Sequence, residues 1–291
     1  MENTSLGIIG GSGFYALDRL EDPQEHVVET PFGSPSGPVV SGRVNGKPVH
    51  FIPRHGPGHT IPPSALNHRA NICALKICGV SHILSVTAVG SLMEDRLPGD
   101  VVLPDQYFDR TKQNHTFFDA DIAAHVPFGH PTCDAWRGFI HALAVPEAHP
   151  LGRSAFNGGT YVNMEGPAFS TRAESLFYRS LGGAVIGMTS LPEAKLAREA
   201  ETCYAAMAMV TDFDCWHEEE GHVTADAVVQ QAQKNVKLAT AIIVAILARL
   251  DEIPSCTSAC GEALVGAIMT RNEALSDDVK KRLNPIIGHR I

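Results

Sequence analysis

Short apolar segments rich in β-branched residues recur along the chain, and segments whose apolar residues have helical spacing lie between them. Several of the apolar segments are continuous rather than alternating, which is typical of strands covered on both faces. This alternation predicts an α/β protein. The expected strands are 6–9, 50–52, 82–88, 101–103, 184–188 and 205–211, and the expected helices are 64–77, 172–181, 192–200 and 224–250.

The chain is long enough for one large domain. It has 291 residues, of which 44% are hydrophobic, so it can form a sizeable core. No internal repeat, low-complexity tract or long charged linker divides it. We therefore expect a single domain over residues 1–250, with a helical C-terminal appendage over residues 251–291 packed on the same domain.

Charge and hydropathy exclude several classes of partner. Lysine and arginine number 23 against 32 aspartates and glutamates, a net charge of −9 that disfavours nucleic-acid binding. The most apolar segment, 239–248, has ten residues, whereas a membrane span needs about 20. The first residues lack the basic and apolar parts of an export signal. We expect a cytoplasmic protein without nucleic-acid or membrane partners.

The seven cysteines are scattered and odd in number, which favours free thiols in a reducing compartment. Cys256 and Cys260 have the spacing of half a metal site, but no second pair stands at matching spacing, so free thiols are the preferred interpretation. His217 and His222 are five residues apart and would not share a helix face, unlike the histidines of zinc proteases. We expect no bound metal.

Polar groups suited to an anion follow several predicted strands. A glycine-rich turn containing Ser12 follows the first strand, and Arg54 with His55 follows the second. Thr87 and Thr189 end two further strands. Open α/β sheets bind ligands at strand ends, and backbone N–H groups in glycine-rich turns can surround an anion. Each residue alone is compatible with a simple turn, but together they predict a phosphate-sized site.

A pair of carboxyl groups follows the strand expected at 205–211. Asp212 and Asp214 are two residues apart, so on an extended chain they project to the same face. Neighbouring carboxyl groups raise the pKa of one member, which can then donate a proton while the other accepts. A solvated strand end or a helix cap is the alternative interpretation.

In this order, these segments resemble the purine nucleoside phosphorylase family, and within it the branch that cleaves methylthioadenosine. The resemblance covers about residues 6–250 and fades after about residue 251. It implies a single-domain α/β nucleoside phosphorylase fold with a mixed central sheet flanked by helices, and a homotrimer. The matching motifs lie at 7–13, 30–33, 54–56, 59–63, 87–91, 165–167, 188–189, 192–193 and 211–216.

The resemblance also implies a role for individual residues. Phosphate would be bound by Ser12, Arg54, His55, Thr87, Ala88 and Thr189. The nucleoside would be held by Asp212 at purine N7, Asp214 at the 6-amino group, Phe169 on the base, Met188 against the ribose, His125 of a neighbouring subunit at the 5′ side, and Ala225 with Val228 around the methylthio group. One departure is Ala168, where similar proteins have arginine.

The implied reaction is phosphate-dependent cleavage of 5′-methylthioadenosine to adenine and 5-methylthioribose 1-phosphate, in purine and methionine salvage. It needs no metal or organic cofactor, since inorganic phosphate is itself the nucleophile. Cleavage at N9 leaves negative charge on the base, which a proton delivered to N7 neutralises. The protein must then position phosphate under C1′ and stabilise the oxocarbenium-like state.

Three alternatives stay open at this stage. A phosphorylase of 6-oxopurine nucleosides or methylthioinosine would need a donor to the 6-oxo group, whereas Asp214 offers an acceptor. The interpretation as an NAD-dependent dehydrogenase rests on Gly11, Gly13, Ala16 and Glu29. The short stretch after Gly13 leaves little room for the crossover helix of a dinucleotide site. A non-catalytic nucleoside-binding protein would have no use for a second, anionic subsite.

Overall fold

The computed structural model describes residues 4–11, 19–119, 121–217 and 224–291. Within them, eleven strands form one mixed sheet with six α-helices around it. The strands are β1 (Leu6–Gly10), β2 (Glu21–His26), β3 (Val39–Val44), β4 (Lys47–Pro53), β5 (His82–Ser91), β6 (Val101–Leu103), β7 (Gln106–Arg110), β8 (Ala155–Asn157), β9 (Thr160–Met164), β10 (Gly183–Gly187) and β11 (Cys203–Asp212). The helices are α1 (His68–Ile77), α2 (Asp134–Ala148), α3 (Arg172–Ser180), α4 (Ser190–Glu199), α5 (Ala225–Leu247) and α6 (Asp277–Ile287).

Four parallel strands, in the order β4, β1, β5 and β11, form the centre of the sheet. Leu6 of β1 pairs with Val49 on one side and with His82 on the other, and His82 also pairs with Cys203 of β11. Because parallel strands point the same way, their carboxyl ends lie at one edge of the sheet. Arg54, which follows β4, and Asp212 with Asp214, at the end of β11, therefore lie towards that edge, while Thr87 lies within β5.

The outer strands extend the sheet in both directions. β3 and β2 continue antiparallel from β4, while β10 runs antiparallel to the end of β5 and is followed by β9 and β7. β6 and β8 extend from β11. Residues 19–26 hold a short turn and β2 rather than a crossover helix, so the described part of this region lacks the βαβ unit of a dinucleotide site.

Helices cover both faces of the sheet. On one face α2 and α5 pack on β1, β5 and β11, and Trp136 donates a hydrogen bond of 2.9 Å to the Ile83 carbonyl oxygen. On the other face α1 and α4 pack with α6, whose Leu283, Ile286 and Ile287 are buried. None of the described helices is long and apolar enough to cross a lipid bilayer.

The expected α/β fold with a mixed sheet between helices is confirmed. All six expected strands and four expected helices occur, with ends shifted by a few residues. The sequence analysis missed five strands and helix α2, while α6 lies in the C-terminal segment that was expected to be helical. Strand β2 shows why a strand can be missed. Its sequence, EDPQEH, is exposed throughout and pairs only at the sheet edge, so it has no apolar pattern. The boundary expected at residue 250 stays a prediction.

Candidate active site

An opening in the sheet lies beside the middle of β5. β11 pairs with one side of β5 along its length, and two strands share the other side. β1 reaches it as far as Ser85, and β10, running the opposite way, reaches it as far as Gly90. Residues 86–89 lack a strand partner on that side among the described strands. Ala88 is exposed between buried Thr87 and Val89, so a ligand can contact the backbone here.

Two of the predicted phosphate residues meet at this opening. The hydroxyls of Thr87 and Thr189 are 3.3 Å apart, and both side chains are buried. Thr189 is the N-cap residue of α4, yet its hydroxyl does not cap the helix. The ten-residue helix α4 thus begins at the opening, where its partial positive charge favours an anion. This arrangement suits phosphate.

Arg54 lies directly behind the opening and is 2% exposed. Its Nε donates to Glu193 at 2.6 Å, and its terminal nitrogens donate to the Val86 carbonyl oxygen and the Ser85 hydroxyl, both at 2.7 Å. Burial raises the pKa of Glu193, but the charge and hydrogen bonds of Arg54 outweigh burial and hold that pKa below its ordinary value. Arg54 therefore carries a permanent charge balanced by Glu193, and it ties the end of β4 to the middle of β5 and to α4.

His55 has a defined tautomer. Its Nδ1 lies 2.8 Å from the Ile61 carbonyl oxygen, and since a carbonyl oxygen only accepts, Nδ1 carries the hydrogen. Burial, and next the charge of Arg54, lower the pKa of His55 to about 4. At neutral pH the ring is uncharged and its Nε2 is an acceptor. It is therefore suited to a protonated phosphate oxygen.

The two aspartates lie at the end of β11, beside Gly90 of β5. Asp212 accepts hydrogen bonds from the Thr211 hydroxyl at 2.7 Å and from the Asp214 backbone N–H at 2.8 Å. A Cβ atom on Gly90 would lie 2.9 Å from Asp212 Oδ1 and 3.3 Å from Asp214 Cβ. The aspartates are thus in contact with β5, three residues beyond Thr87.

Asp214 has features of a binding residue. It is 6% exposed, and its buried Oδ2 forms no hydrogen bond of standard length among the described residues, although Ser175 and Ser170 lie near enough to the carboxyl to oppose the rise of its pKa. Its backbone φ is 51°, in the left-handed region, which costs most residues about 1 kcal/mol or more and aspartate less. Burial raises the pKa of Asp214 above its ordinary value. A buried, unpaired acceptor favours a ligand that donates a hydrogen bond.

Met188 and Phe169 border the same region. Gly166 packs so closely on Met188 that a Cβ atom there would lie 2.6 Å from its sulfur. Met188 immediately precedes Thr189, which places it beside the opening. Phe169 is 43% exposed, three residues beyond Gly166. An aromatic ring with a free face can stack on a planar base.

The other predicted site residues do not join this group in a single chain. Ser12 lies outside the described residues. His125 is exposed beside a separate cleft of about 460 Å³, which Thr116, Phe118 and Glu199 also line. Ala225 is exposed and Val228 half-buried in the first turn of α5. The roles of these four residues, like those assigned to the residues at the opening, stay predictions.

The sequence analysis missed the residues that hold the site in place. Glu193 accepts from Arg54 and also from the hydroxyls of Ser85 at 2.6 Å and Tyr204 at 3.1 Å. Tyr161 is fully buried, and burial raises its pKa to about 12. Glu193 lies within the matching motif at 192–193, but the sequence alone assigned it no role. The available signal in the sequence was Arg54 itself: an arginine that follows a buried strand needs an acidic partner, and Glu193 could have been considered for that role.

With this geometry established, the chain can be placed among known proteins. Residues 5–248 match the Phosphorylase superfamily, and the chain belongs to this family. The expected resemblance is confirmed.

Two kinds of relative are informative. The S-methyl-5′-thioadenosine phosphorylase of Geobacter sulfurreducens is 48% identical over 285 residues, which cover 97% of this chain and 98% of that protein. This alignment continues beyond residue 251, whereas the family match ends at residue 248, close to the expected end of the resemblance.

Among solved structures, a methylthioadenosine phosphorylase from an antarctic soil metagenomic library has a TM-score of 0.87 at 42% identity, covering 98% of this chain and 99% of that one. Methylthioadenosine phosphorylase from Schistosoma mansoni, in complex with adenine, has a TM-score of 0.81 at 34% identity, covering 91% and 99%. The whole chain therefore shares its architecture with these enzymes.

The Arg54–Glu193 ion pair generates a stability prediction. Glu193→Ala should lower the free energy of unfolding by about 3–5 kcal/mol, because it leaves a buried guanidinium without its partner. Urea unfolding measures this. Lys47→Ala, which breaks the exposed pair with Asp251, is the control and should cost at most about 1 kcal/mol. Equal losses for both variants would show that the buried pair does not organise the fold.

Proposed function

We propose that this chain is a pentosyltransferase that cleaves 5′-methylthioadenosine with phosphate, giving adenine and 5-methylthioribose 1-phosphate. One observation carries the proposal: the threonine pair and the unpaired Asp214 oxygen border the same strand, three residues apart. At about 3.3 Å per residue, Thr87 and Gly90 are roughly 10 Å apart along β5. A purine nucleoside can span this distance with its sugar towards the threonines and its base towards the aspartates.

On the base side, we assign proton delivery to the aspartate pair. Asp214 Oδ2 would accept from the 6-amino group, and Asp212 would face N7. The raised pKa of Asp214 supports a pair that retains a proton more readily than separate exposed aspartates do. Transfer of that proton to N7 would remove the charge that develops on the leaving base.

On the phosphate side, the groups at the opening would place phosphate beneath C1′. Thr87 and Thr189 can donate through their hydroxyls, and Ala88 through the exposed backbone. His55 Nε2 can accept from a protonated phosphate oxygen, and the Arg54 charge behind it favours the anion. Ser12, in the glycine-rich turn after β1, completes the assignment. Phosphate attacks C1′, so the protein need not form a covalent intermediate.

The 5′ side of the site would be completed by a second subunit. His125 is exposed, and among the described residues no hydrogen bond joins it to the aspartates or the threonines. This suits a residue that acts on a neighbouring chain. We propose a homotrimer in which each His125 closes the next subunit's site, and a cytoplasmic role in purine and methionine salvage.

The requirement for phosphate tests the proposed reaction. Adenine release from methylthioadenosine should occur with phosphate and should be abolished in phosphate-free buffer. Thr189→Val should raise the KM for phosphate by roughly 10-fold or more, because a hydrogen bond to a charged group is lost. Thr202→Val, which changes a buried threonine bonded to the Ala200 carbonyl oxygen, is the control. Turnover without phosphate would contradict a phosphorylase.

Base preference tests the role of Asp214. Asp214→Asn replaces an acceptor oxygen with a donor, so a 6-amino group meets a donor and a 6-oxo group gains one. The ratio of kcat/KM for 6-aminopurine over 6-oxopurine nucleosides should fall by roughly 10- to 100-fold. Asp251→Asn, at an exposed carboxylate, should leave the ratio unchanged. An unchanged ratio in Asp214→Asn would mean that this residue does not read the base.

The close approach of β5 to the aspartates gives a third test. Gly90→Ala should lower kcat/KM by roughly 10-fold or more, because the new methyl group displaces the Asp212 carboxylate. Gly138→Ala in α2 is the matched control, since no atom lies within 4 Å of the added Cβ. Activity is measured together with thermal unfolding. Full activity in Gly90→Ala would separate Asp212 from the reaction.

The 5′ preference tests the residues at the start of α5. Ala225 and Val228 offer carbon rather than a donor, so the hydroxyl of adenosine would lose water without a partner. Adenosine should be the poorer substrate by roughly 10-fold or more, and Ala225→His should narrow the difference. Ala227→His, at a neighbouring exposed position, is the control. Equal kcat/KM for both nucleosides in the unaltered enzyme would overturn this assignment.

A further inference from the structure

Four cysteines from three distant parts of the sequence meet beneath α2. Their sulfur atoms all lie within 4.8 Å of one another. Cys133 is the N-cap residue of α2, Cys203 begins β11, and Cys256 and Cys260 lie in the C-terminal segment. Sequence spacing shows no second pair beside Cys256 and Cys260, because the other two cysteines are close to them only in the folded chain.

The arrangement has the dimensions of a four-thiolate metal site. The Cys133 and Cys256 sulfur atoms are 3.7 Å apart. In a tetrahedral site with zinc–sulfur bonds of about 2.3 Å, sulfur atoms lie about 3.8 Å apart. The remaining separations, up to 4.8 Å, need shifts of roughly 1 Å. A disulfide would need a sulfur–sulfur distance of about 2 Å, and all seven cysteines are free here.

The backbone around the cluster is held by hydrogen bonds. The Cys133 N–H donates to the Tyr204 carbonyl oxygen at 2.9 Å, which fixes the start of α2 against β11. The Asp134 N–H donates to the Ser258 hydroxyl at 3.0 Å, which fixes the C-terminal segment against α2. All three attachment points are therefore preorganised.

The surroundings suit a negatively charged centre. The Cys260 N–H donates to the Cys256 sulfur at 3.4 Å, and the N-terminal end of α2 contributes partial positive charge. Arg198, 5% exposed, donates to the carbonyl oxygens of Ser258 and His130 beside the cluster. Cys256 is half-buried while the other three are buried, which gives an ion a route inwards.

We propose that Cys133, Cys203, Cys256 and Cys260 bind one zinc ion. Binding would release four thiol protons and leave a Zn(S-Cys)₄ centre of net charge −2, which the Arg198 guanidinium and the N–H groups of the cluster partly offset. The site is structural, because four protein ligands leave no open position for substrate. The proposal of a zinc site does not depend on the proposed reaction.

The zinc would fasten the C-terminal segment to the sheet. Seven residues after Cys260, the Ala267 carbonyl oxygen accepts from the His125 N–H at 2.9 Å, and Met269 donates to the Ala123 carbonyl oxygen at 2.8 Å. The segment that the zinc secures is therefore the one that holds the backbone of His125. The site would act at a distance from the nucleoside.

Metal analysis of the full chain tests the site. The protein is purified anaerobically without chelator or reductant, and it is dialysed after zinc is added. We expect about one zinc per chain, and release of that zinc to a colorimetric indicator on titration with a mercurial reagent. Cys256→Ser/Cys260→Ser should retain less than about a tenth of it, and Cys73→Ser, which removes a buried cysteine on the opposite face, should retain all of it. Zinc removal should lower the thermal midpoint by roughly 5–10 °C.

The wild-type measurement does not depend on the folding of a variant. Seven titratable thiols with no retained zinc would overturn the proposal, and so would a disulfide within the cluster found by peptide mass. Zinc retained equally by Cys256→Ser/Cys260→Ser would place the metal elsewhere and would also overturn it. Cobalt should substitute for zinc and give thiolate-to-metal absorption bands that the double variant lacks.

Discussion

The buried Arg54–Glu193 pair holds the functional edge of the sheet together. Arg54 follows β4 and contacts backbone or side-chain oxygens of β5, while Glu193 on α4 also accepts from Ser85 of β5 and Tyr204 of β11. One ion pair thus joins three strands, β4, β5 and β11, to the helix whose N-terminus faces the opening. A buried pair of this kind contributes little net stability compared with an apolar core, but its many directional bonds permit one arrangement of these elements. The positions of Thr87 and Thr189 depend on that arrangement.

The opening itself results from a change of strand direction. A strand that continued beyond β1 would cover the middle of β5, and the backbone there would be paired. Instead β10 arrives from the opposite side and ends before it meets β1, which leaves the middle of β5 without a strand partner on that side among the described strands. The protein thereby obtains exposed backbone at Ala88 and two threonine hydroxyls in the interior of the sheet. The change of strand direction therefore explains why the candidate site lies inside the sheet rather than in a long loop.

The sequence revealed the central strands and most of the polar residues at their ends, because buried parallel strands are continuously apolar and residues such as Thr87 and Asp212 interrupt that pattern abruptly. It did not reveal β2, whose polar residues carry no burial signal, or the partner of Arg54, which is 139 positions away. The same limit applies to the cysteines: Cys133 and Cys256 are separated by 123 positions. Local patterns show what an element is, whereas its neighbours depend on the topology.

The C-terminal segment packs on the core beside α1 and α4. Leu264 lies in the core cluster of α1 and α4, and its N–H donates to the buried Glu201 at 2.9 Å. From there the chain runs to Ala267 and Met269, which pair with the segment around His125. A loop such as residues 122–126 would lose considerable conformational entropy if it were ordered only when another subunit docked. Because the C-terminal segment orders these residues in advance, the proposed presentation of His125 to a neighbouring chain would cost less conformational entropy.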